Sequence, residues 1–149
     1  MKNIAIVGLG FVGLTLSVVS SKKGFTTYGI DLDQKILEGI KKGKAHFHEN
    51  GIDSFIQSIY KESFYVNDTF EKFKDIKFDC IIITVGTPLK ENKKPNLDYL
   101  ISAIKSIKPI YDGNQLIILR STVSIGTTRN DVLPFLKSEY HLNEEDVLL

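Results

Sequence analysis

The stretch "NIAIVGLGFVG", Asn3 to Gly13, is an apolar run that breaks on three glycines, Gly8, Gly10 and Gly13. Its first half has the composition of a buried strand, and the residues after it, "FVGLTLSVVSSKK", carry apolar side chains at helical spacing and stop at Gly24. The same alternation repeats down the chain. "TTYGID", "SFYV", "DCIIITV", "QLIIL" and the final "DVLL" read as strands. Helix-length segments lie between most of them: "DQKILEGIKKGK" behind an Asp33 cap, and "GIDSFIQSIYKE" with Ile52, Phe55, Ile56 and Ile59 on one face. "NLDYLISAIKSIK" follows an Asn96 cap and precedes Pro109; "GTTRNDVLPFLKSEY" starts at Gly126 and meets Pro134. Strand–helix alternation over a whole domain predicts an α/β fold, a Rossmann-like doubly wound parallel sheet with helices on both faces. The unbroken apolar character of "CIIITV" and "LIIL" predicts strands covered on both sides.

Within that fold the glycines have separate jobs. Gly8 allows a tight turn off the strand, Gly10 lets a diphosphate approach the backbone, and Gly13 lets the helix sit close on the sheet. The amides of Phe11 and Val12 then open the helix and point at phosphate oxygens, aided by the helix dipole. The second strand ends on Asp31, eighteen residues after Gly13. A carboxylate there accepts both ribose hydroxyls of an adenosine and repels a 2′-phosphate, which favours NAD over NADP. Lys35 is placed either at that ribose or in solvent on its helix. "TVGTP" (Thr84, Val85, Gly86, Thr87, Pro88) and "RSTVSIGTT" each follow a strand, so both belong on the rim where a doubly wound sheet binds ligands. Hydroxyls on the second loop suit the nicotinamide end, since they bond ribose, carboxamide or water without adding charge. Ser124, Thr127 and Thr128 read as caps and first-turn residues of the following helix.

The totals bound the remaining classes. The chain has 149 residues, 42% hydrophobic and 25% charged, and its 19 Lys+Arg against 18 Asp+Glu leave a net charge of +1. That balance offers no electrostatic footprint for nucleic acid or a membrane surface. The single cysteine, Cys80, excludes an internal disulfide framework and fits a reducing compartment. Residues 1–21 imitate a signal peptide, yet three glycines interrupt the apolar run and patterned sequence continues at once; a cytoplasmic protein is expected. Cys80 stands at the start of a buried strand as a small core hydrophobe. His46 and His48 share a polar loop with Glu49 but no third ligand at sensible spacing, so no metal is expected.

"GLGFVGL", "GID", "HENG", "VGTPL", "PNLDYL" and "LRSTVSIGTT" occur in that order, and the chain is similar over essentially its whole length to the N-terminal domain of the UDP-glucose/GDP-mannose dehydrogenase family. The resemblance implies that residues 1–149 form an NAD-binding domain. The central and C-terminal domains, with the cysteine nucleophile and its lysine and asparagine helpers, would lie beyond it. It implies a full-length enzyme that oxidises the C6 alcohol of a nucleotide sugar to a carboxylate with two NAD, a step of polysaccharide biosynthesis. A homodimer would be built through the central domain, with this domain alone a monomer. Gly8 to Gly13 match the diphosphate turn, Asp31 the ribose acid, Thr84 to Pro88 the second cofactor loop, and Ser121, Thr122 and Val123 the third. Thr122 matches a threonine that touches the cofactor and helps hold an active-site water, the catalytic candidate of this domain. Glu49 and Gly51 match an E-P-G turn, with Asn50 here in place of proline. The family's basic residue five positions after the ribose acid is Ile36 here, one place beyond Lys35. The wording of "VGTPL", "PNLDY" and "LRSTV" resembles UDP-N-acetylhexosamine dehydrogenases, such as those for UDP-N-acetylmannosamine, slightly more than UDP-glucose enzymes. The alternatives are another NAD-dependent dehydrogenase of the 3-hydroxyacid type, which shares the glycine turn but not "STVSIGTT", and a non-catalytic dinucleotide-binding module.

Overall fold

Strand β1, Asn3–Val7, lies at the centre of the sheet and sends alternate side chains into two cores: Ile4 and Ile6 to one face, Ala5 and Val7 to the other. The computed structural model describes residues 2–89 and 96–142. From β1 the chain runs through α1 (Phe11–Lys22), β2 (Thr26–Ile30), α2 (Gln34–Lys41), α3 (Ile52–Ile59), β3 (Phe64–Asn67), β4 (Cys80–Ile83), α4 (Asp98–Ser106), β5 (Leu116–Leu119) and α5 (Leu133–Tyr140). All four ladders are parallel and the strand order is β3-β2-β1-β4-β5. The doubly wound fold expected from the alternation is therefore present. Helices α1, α2 and α3 cover the Ile4 and Ile6 face, while α4 and α5 cover the other. The sixth strand expected at "DVLL" lies outside the described residues, as does the start of "PNLDYL".

Local signals in the sequence set most boundaries. Asp33 caps α2 by accepting the Lys35 N–H at 2.8 Å, and Gly43, with φ +73°, turns the chain away after it. Asn96 Oδ1 accepts the Asp98 N–H at 2.9 Å at the head of α4. In α3, Ile52, Ile56 and Ile59 are buried, but Phe55 sits at the edge of that face with the Lys22 ammonium 3.3 Å over its ring.

Three features stand out, one of which, the cover over β5, corrects an expectation. The crossover from β3 to β4 holds only a short 3₁₀ turn, Phe70–Phe73, so the sheet face near the tips of β1 and β2 has no long helix over it. Strand β5 is apolar yet covered on one side only; Leu116 and Ile118 are 42% and 36% exposed. The last helical segment opens at Thr127, with the Asn130 N–H donating to the Gly126 carbonyl at 2.8 Å, so the start read at Gly126 holds. A π-turn spans Thr128–Val132 before α5, because Pro134 lacks the N–H that an α-helix would bond to the Asn130 carbonyl.

Packing around the glycine turn is close. A Cβ on Gly13 would overlap the Gly8 carbonyl oxygen, a backbone atom, and lie 2.6 Å from the Thr84 hydroxyl. On β2, a Cβ on Gly29 would lie 2.7 Å from Leu9 Cδ2, so the glycine in "TTYGID" is the seat of the fully buried Leu9. Thr27, also buried on β2, has an Oγ1 with no hydrogen-bond partner among the described residues, which carries a desolvation cost.

Two stability measurements check this packing. Gly13→Ala is expected to lower unfolding free energy by about 3 kcal/mol, as overpacking against rigid backbone does; a change under about 0.5 kcal/mol would contradict the contact. Thr27→Val, which keeps the shape and removes the unpaired hydroxyl, is expected to raise it by about 1 kcal/mol, and a thermal melt showing a loss would contradict it.

Candidate functional site

The carboxyl ends of the strands align along one edge. Gly8 N–H donates to Ile30 O at 2.9 Å, Asp31 N–H to Asn67 O at 3.2 Å, Thr84 N–H to Val7 O at 2.9 Å and Arg120 N–H to Ile83 O at 2.8 Å. The residues just past the strands thus continue the ladders and stand side by side. Strand order reverses between β1 and β4, which is where an open α/β sheet leaves a crevice. A cavity of about 760 Å³ occupies it, running from Gly8 and Gly10 past Asp31 to Asp68 and Thr69 on one side and α4 on the other. Val7, Ile30 and Ala103 line it where the short β3–β4 crossover leaves the sheet open.

At the head of α1 the first intrahelical bond runs from Leu14 N–H to Gly10 O at 2.9 Å, and no side chain caps the helix or places an acid in its first turn. The amides of Phe11 and Val12 precede that bond and belong to the set every helix leaves unpaired at its start. Nothing stands within 4 Å of the position a Gly10 Cβ would take, so the approach to these amides is open. Gly8 adopts φ +91°, the left-handed conformation that the turn requires.

Asp31 is engaged before any ligand arrives. Its Oδ2 accepts the Leu9 N–H at 2.6 Å and its Oδ1 the Asp33 N–H at 2.9 Å. Each carboxylate oxygen keeps a further lone pair for a hydroxyl donor. Thr84 turns its hydroxyl away from the crevice: Oγ1 approaches Val7 O at 3.0 Å and Gly8 O at 2.7 Å, a shared bond that braces the glycine turn from the β4 side.

The two rim loops meet. Ser121 Oγ donates to Val85 O at 2.6 Å, and Thr87 Oγ1 donates to Thr122 O. The second loop is therefore latched to the first, and the Ser121 hydroxyl is committed as a donor. Thr84, Val85 and Gly86 line the cavity, whereas Thr87, Pro88, Ser121, Thr122 and Val123 stand beyond it, with the Thr122 side chain exposed. Of the caps and first-turn residues read at Ser124, Thr127 and Thr128, Thr127 and Thr128 do open the helical segment, but no side chain caps the π-turn.

Lys35 is exposed and does not line the cavity; only its backbone amide is held, by Asp33. Ile36 is partly buried against the core beneath α2 and presents no charge to the crevice. Cys80 is half-buried at the first position of β4, paired with Ile4 and Leu116, far along the strand from the tips. Burial, and then the charge of Asp79, pushes its thiol pKa up, which keeps it protonated.

The "HENG" loop comes to the same end of α1. The Phe47 ring packs 4.7 Å from the Phe11 ring, and the His46 ring lies 4.8 Å from Phe47. Asp53 anchors the loop: the Ala45 N–H at 2.8 Å, and then the Lys44 ammonium at 3.0 Å, hold its carboxyl below the usual carboxylate range. With Asn50 where a proline was expected, the turn still forms; Ile52 N–H donates to Glu49 O at 3.2 Å and Gly51 has φ +79°. Among the described residues no group of three or more His, Cys, Asp and Glu side chains gathers as a metal site, and no helix is long and apolar enough to cross a membrane.

Sequence reasoning missed Leu9 and Gly29 as the seat of the turn, and Tyr99, Ser102 and Ser106 as the α4 wall of the cavity. It also missed Asp68, although the first residue after β3 is by the strand-tip rule a neighbour of Asp31.

Comparison with known proteins follows this geometry. Residues 2–148 match the sequence model of the UDP-glucose/GDP-mannose dehydrogenase family, NAD binding domain. UDP-N-acetyl-D-mannosamine dehydrogenase of Campylobacter jejuni is 33% identical over 84% of this chain and 30% of its own length. UDP-N-acetyl-D-glucosamine 6-dehydrogenase of Pseudomonas aeruginosa is 34% identical over 95% of this chain and 33% of its own length. The solved UDP-D-ManNAc dehydrogenase of Pyrococcus horikoshii superposes with a TM-score of 0.89 at 30% identity, over 98% of this chain and 34% of that one. The chain thus spans about a third of the length of these relatives. With the family model matched over residues 2–148, the chain belongs to the UDP-glucose/GDP-mannose dehydrogenase family as its NAD binding domain.

Proposed function

We propose that this chain holds the NAD of a nucleotide-sugar 6-dehydrogenase, which oxidises the C6 alcohol of a UDP-sugar to the uronic acid with two NAD in succession. A UDP-N-acetylhexosamine is favoured over UDP-glucose, because the relatives at 33% and 34% identity act on UDP-N-acetyl-D-mannosamine and UDP-N-acetyl-D-glucosamine. The observation that carries the cofactor part is one continuous cavity that joins Gly8 and Gly10, below an uncapped helix start, to the Asp31 carboxylate.

In this reading the Phe11 and Val12 amides bind the diphosphate, Gly10 keeps its approach clear, and Asp31 accepts the adenosine ribose hydroxyls while Leu9 and Asp33 hold it in place. Gly8, Gly13 and Thr84 shape the turn. Val85, Gly86, Thr87 and Pro88 form the wall leading from the ribose towards the second rim loop. Ser121 and Val123 position that loop, and Thr122 faces the nicotinamide half and orients a water there. Lys35 remains a solvated helix lysine. When bound, NAD supplies the hydride acceptor; the chain's own part is to hold and orient it and to exclude bulk water with the apolar floor of Val7, Ile30 and Ala103.

The remainder of a protein of the relatives' length would supply central and C-terminal domains with the substrate site and the nucleophilic cysteine. A cytoplasmic homodimer, assembled through the central domain, would complete it. This domain then binds the coenzyme without turning it over.

Calorimetric titration of this chain tests the cofactor part: NAD is expected to bind at least about tenfold more tightly than NADP, since a 2′-phosphate meets the Asp31 carboxylate. Equal or reversed affinity contradicts it. In a longer protein that contains this chain, two NADH should form per UDP-N-acetylhexosamine consumed; no oxidation of any UDP-sugar would contradict the substrate part.

A further inference from the structure

We infer that Asp68 reads the base of the coenzyme, by accepting the exocyclic amine of adenine, and so makes this domain discriminate against dinucleotides whose purine lacks it. The inference rests on the NAD reading above and adds a specificity-determining residue to it.

Register supplies the first observation. Ile30 and Asn67 are ladder partners, and the Asp31 N–H bonds the Asn67 carbonyl at 3.2 Å. Asp31 and Asp68 are thus the next residues of adjacent strands, about 4.8 Å apart in the hydrogen-bonding direction. Both line one cavity. If Asp31 holds the ribose, the group attached to that ribose occupies the space one strand further out, which is the part of the cavity that Asp68 faces.

The shape and chemistry of that space are the second observation. Ile30 and Ala103 offer apolar surface there, with Asp68 and Thr69 on one side and Ser106 and Pro109 on the other. A flat aromatic base with a polar rim suits such a slot. An ionised carboxylate only accepts hydrogen bonds, and the one donor on the rim of adenine is its 6-amino group. Asp68 is free to serve: Oδ2 receives only a long bond from Gln34 Nε2, at 3.4 Å, and Oδ1 receives none among the described residues. The backbone holds the residue in place, its N–H donating to Asn67 Oδ1 at 2.9 Å. Glu71 also lines the cavity, but it leaves a 3₁₀ turn whose amide is held by Thr69 Oγ1 at 3.2 Å, one turn further from the Asp31 tip.

The test compares NAD with nicotinamide purine dinucleotide, which carries a hydrogen in place of the 6-amino group and so has no donor on that edge. Binding of both is titrated calorimetrically with the wild-type chain, Asp68→Asn and Glu71→Gln, with a thermal melt to verify folding. The wild type is expected to prefer NAD by about tenfold or more, the scale of one hydrogen bond to a charged group. Asp68→Asn, whose amide can face either base, should bring the two within about threefold, while Glu71→Gln keeps the preference. If the wild type binds NAD but does not discriminate, or if Glu71→Gln abolishes the preference and Asp68→Asn does not, the inference falls and the cofactor reading stands. Failure to bind either dinucleotide would overturn both.

Discussion

The 2.6 Å bond from the Leu9 amide to Asp31 is the constraint on which the rest of the site depends. It ties the middle of the glycine turn to the tip of the neighbouring strand, and so joins the two anchors proposed for diphosphate and ribose. Everything around it serves that link. Leu9 is buried because Gly29 leaves room for its side chain, and α1 can sit against the turn because Gly13 has no Cβ. Thr84 braces the same turn from the β4 side with a shared hydroxyl bond. A hydrogen bond to a carboxylate is stronger than one between neutral groups, and here it orders the site before the ligand arrives. Less conformational freedom is then lost on binding.

Charge is used sparingly. In the proposed reading the anionic diphosphate is met by amides and a helix dipole instead of lysine or arginine, which agrees with a chain whose net charge is only +1. The lysines near the cavity, Lys105 and Lys108, stand at the far end of α4, and Lys105 leans over the Phe135 ring. In the proposed reading, negative side chains sit where neutral donors are expected, Asp31 at a ribose and Asp68 at the base. The short 3₁₀ crossover between β3 and β4 completes the arrangement. By leaving the sheet uncovered near Val7 and Ile30, it makes the apolar floor on which an aromatic base can rest.

The parts of this design that obey local rules were legible in the sequence. Period-two and apolar-run strands, the Asp33 and Asn96 caps and the glycine spacing each depend on a few adjacent residues, and each appears in the structure where read. What could not be read depends on distant contacts. The identity of residue 29 as a seat for Leu9 requires knowing that β1 and β2 are neighbours in register. The hydroxyls of "STVSIGTT" looked like free donors, yet Ser121 is committed to Val85 and none of the three later hydroxyls caps the helix. Pro134 was recognised as a disturbance, and the form it took is a π-turn just before α5. Lys35 had a ribose contact as one reading, and the orientation of α2 leaves it outside the cavity.

The most direct test of the central claim is Gly10→Ala, read by unfolding and by NAD titration on the same sample. Gly10 has φ −60°, and nothing lies within 4 Å of the added Cβ, so the protein itself tolerates alanine and stability should change by less than about 1 kcal/mol. The methyl group stands where the diphosphate must approach the Phe11 and Val12 amides, and NAD affinity should fall by at least about tenfold. A folded Gly10→Ala protein that binds NAD as tightly as the parent would contradict the account.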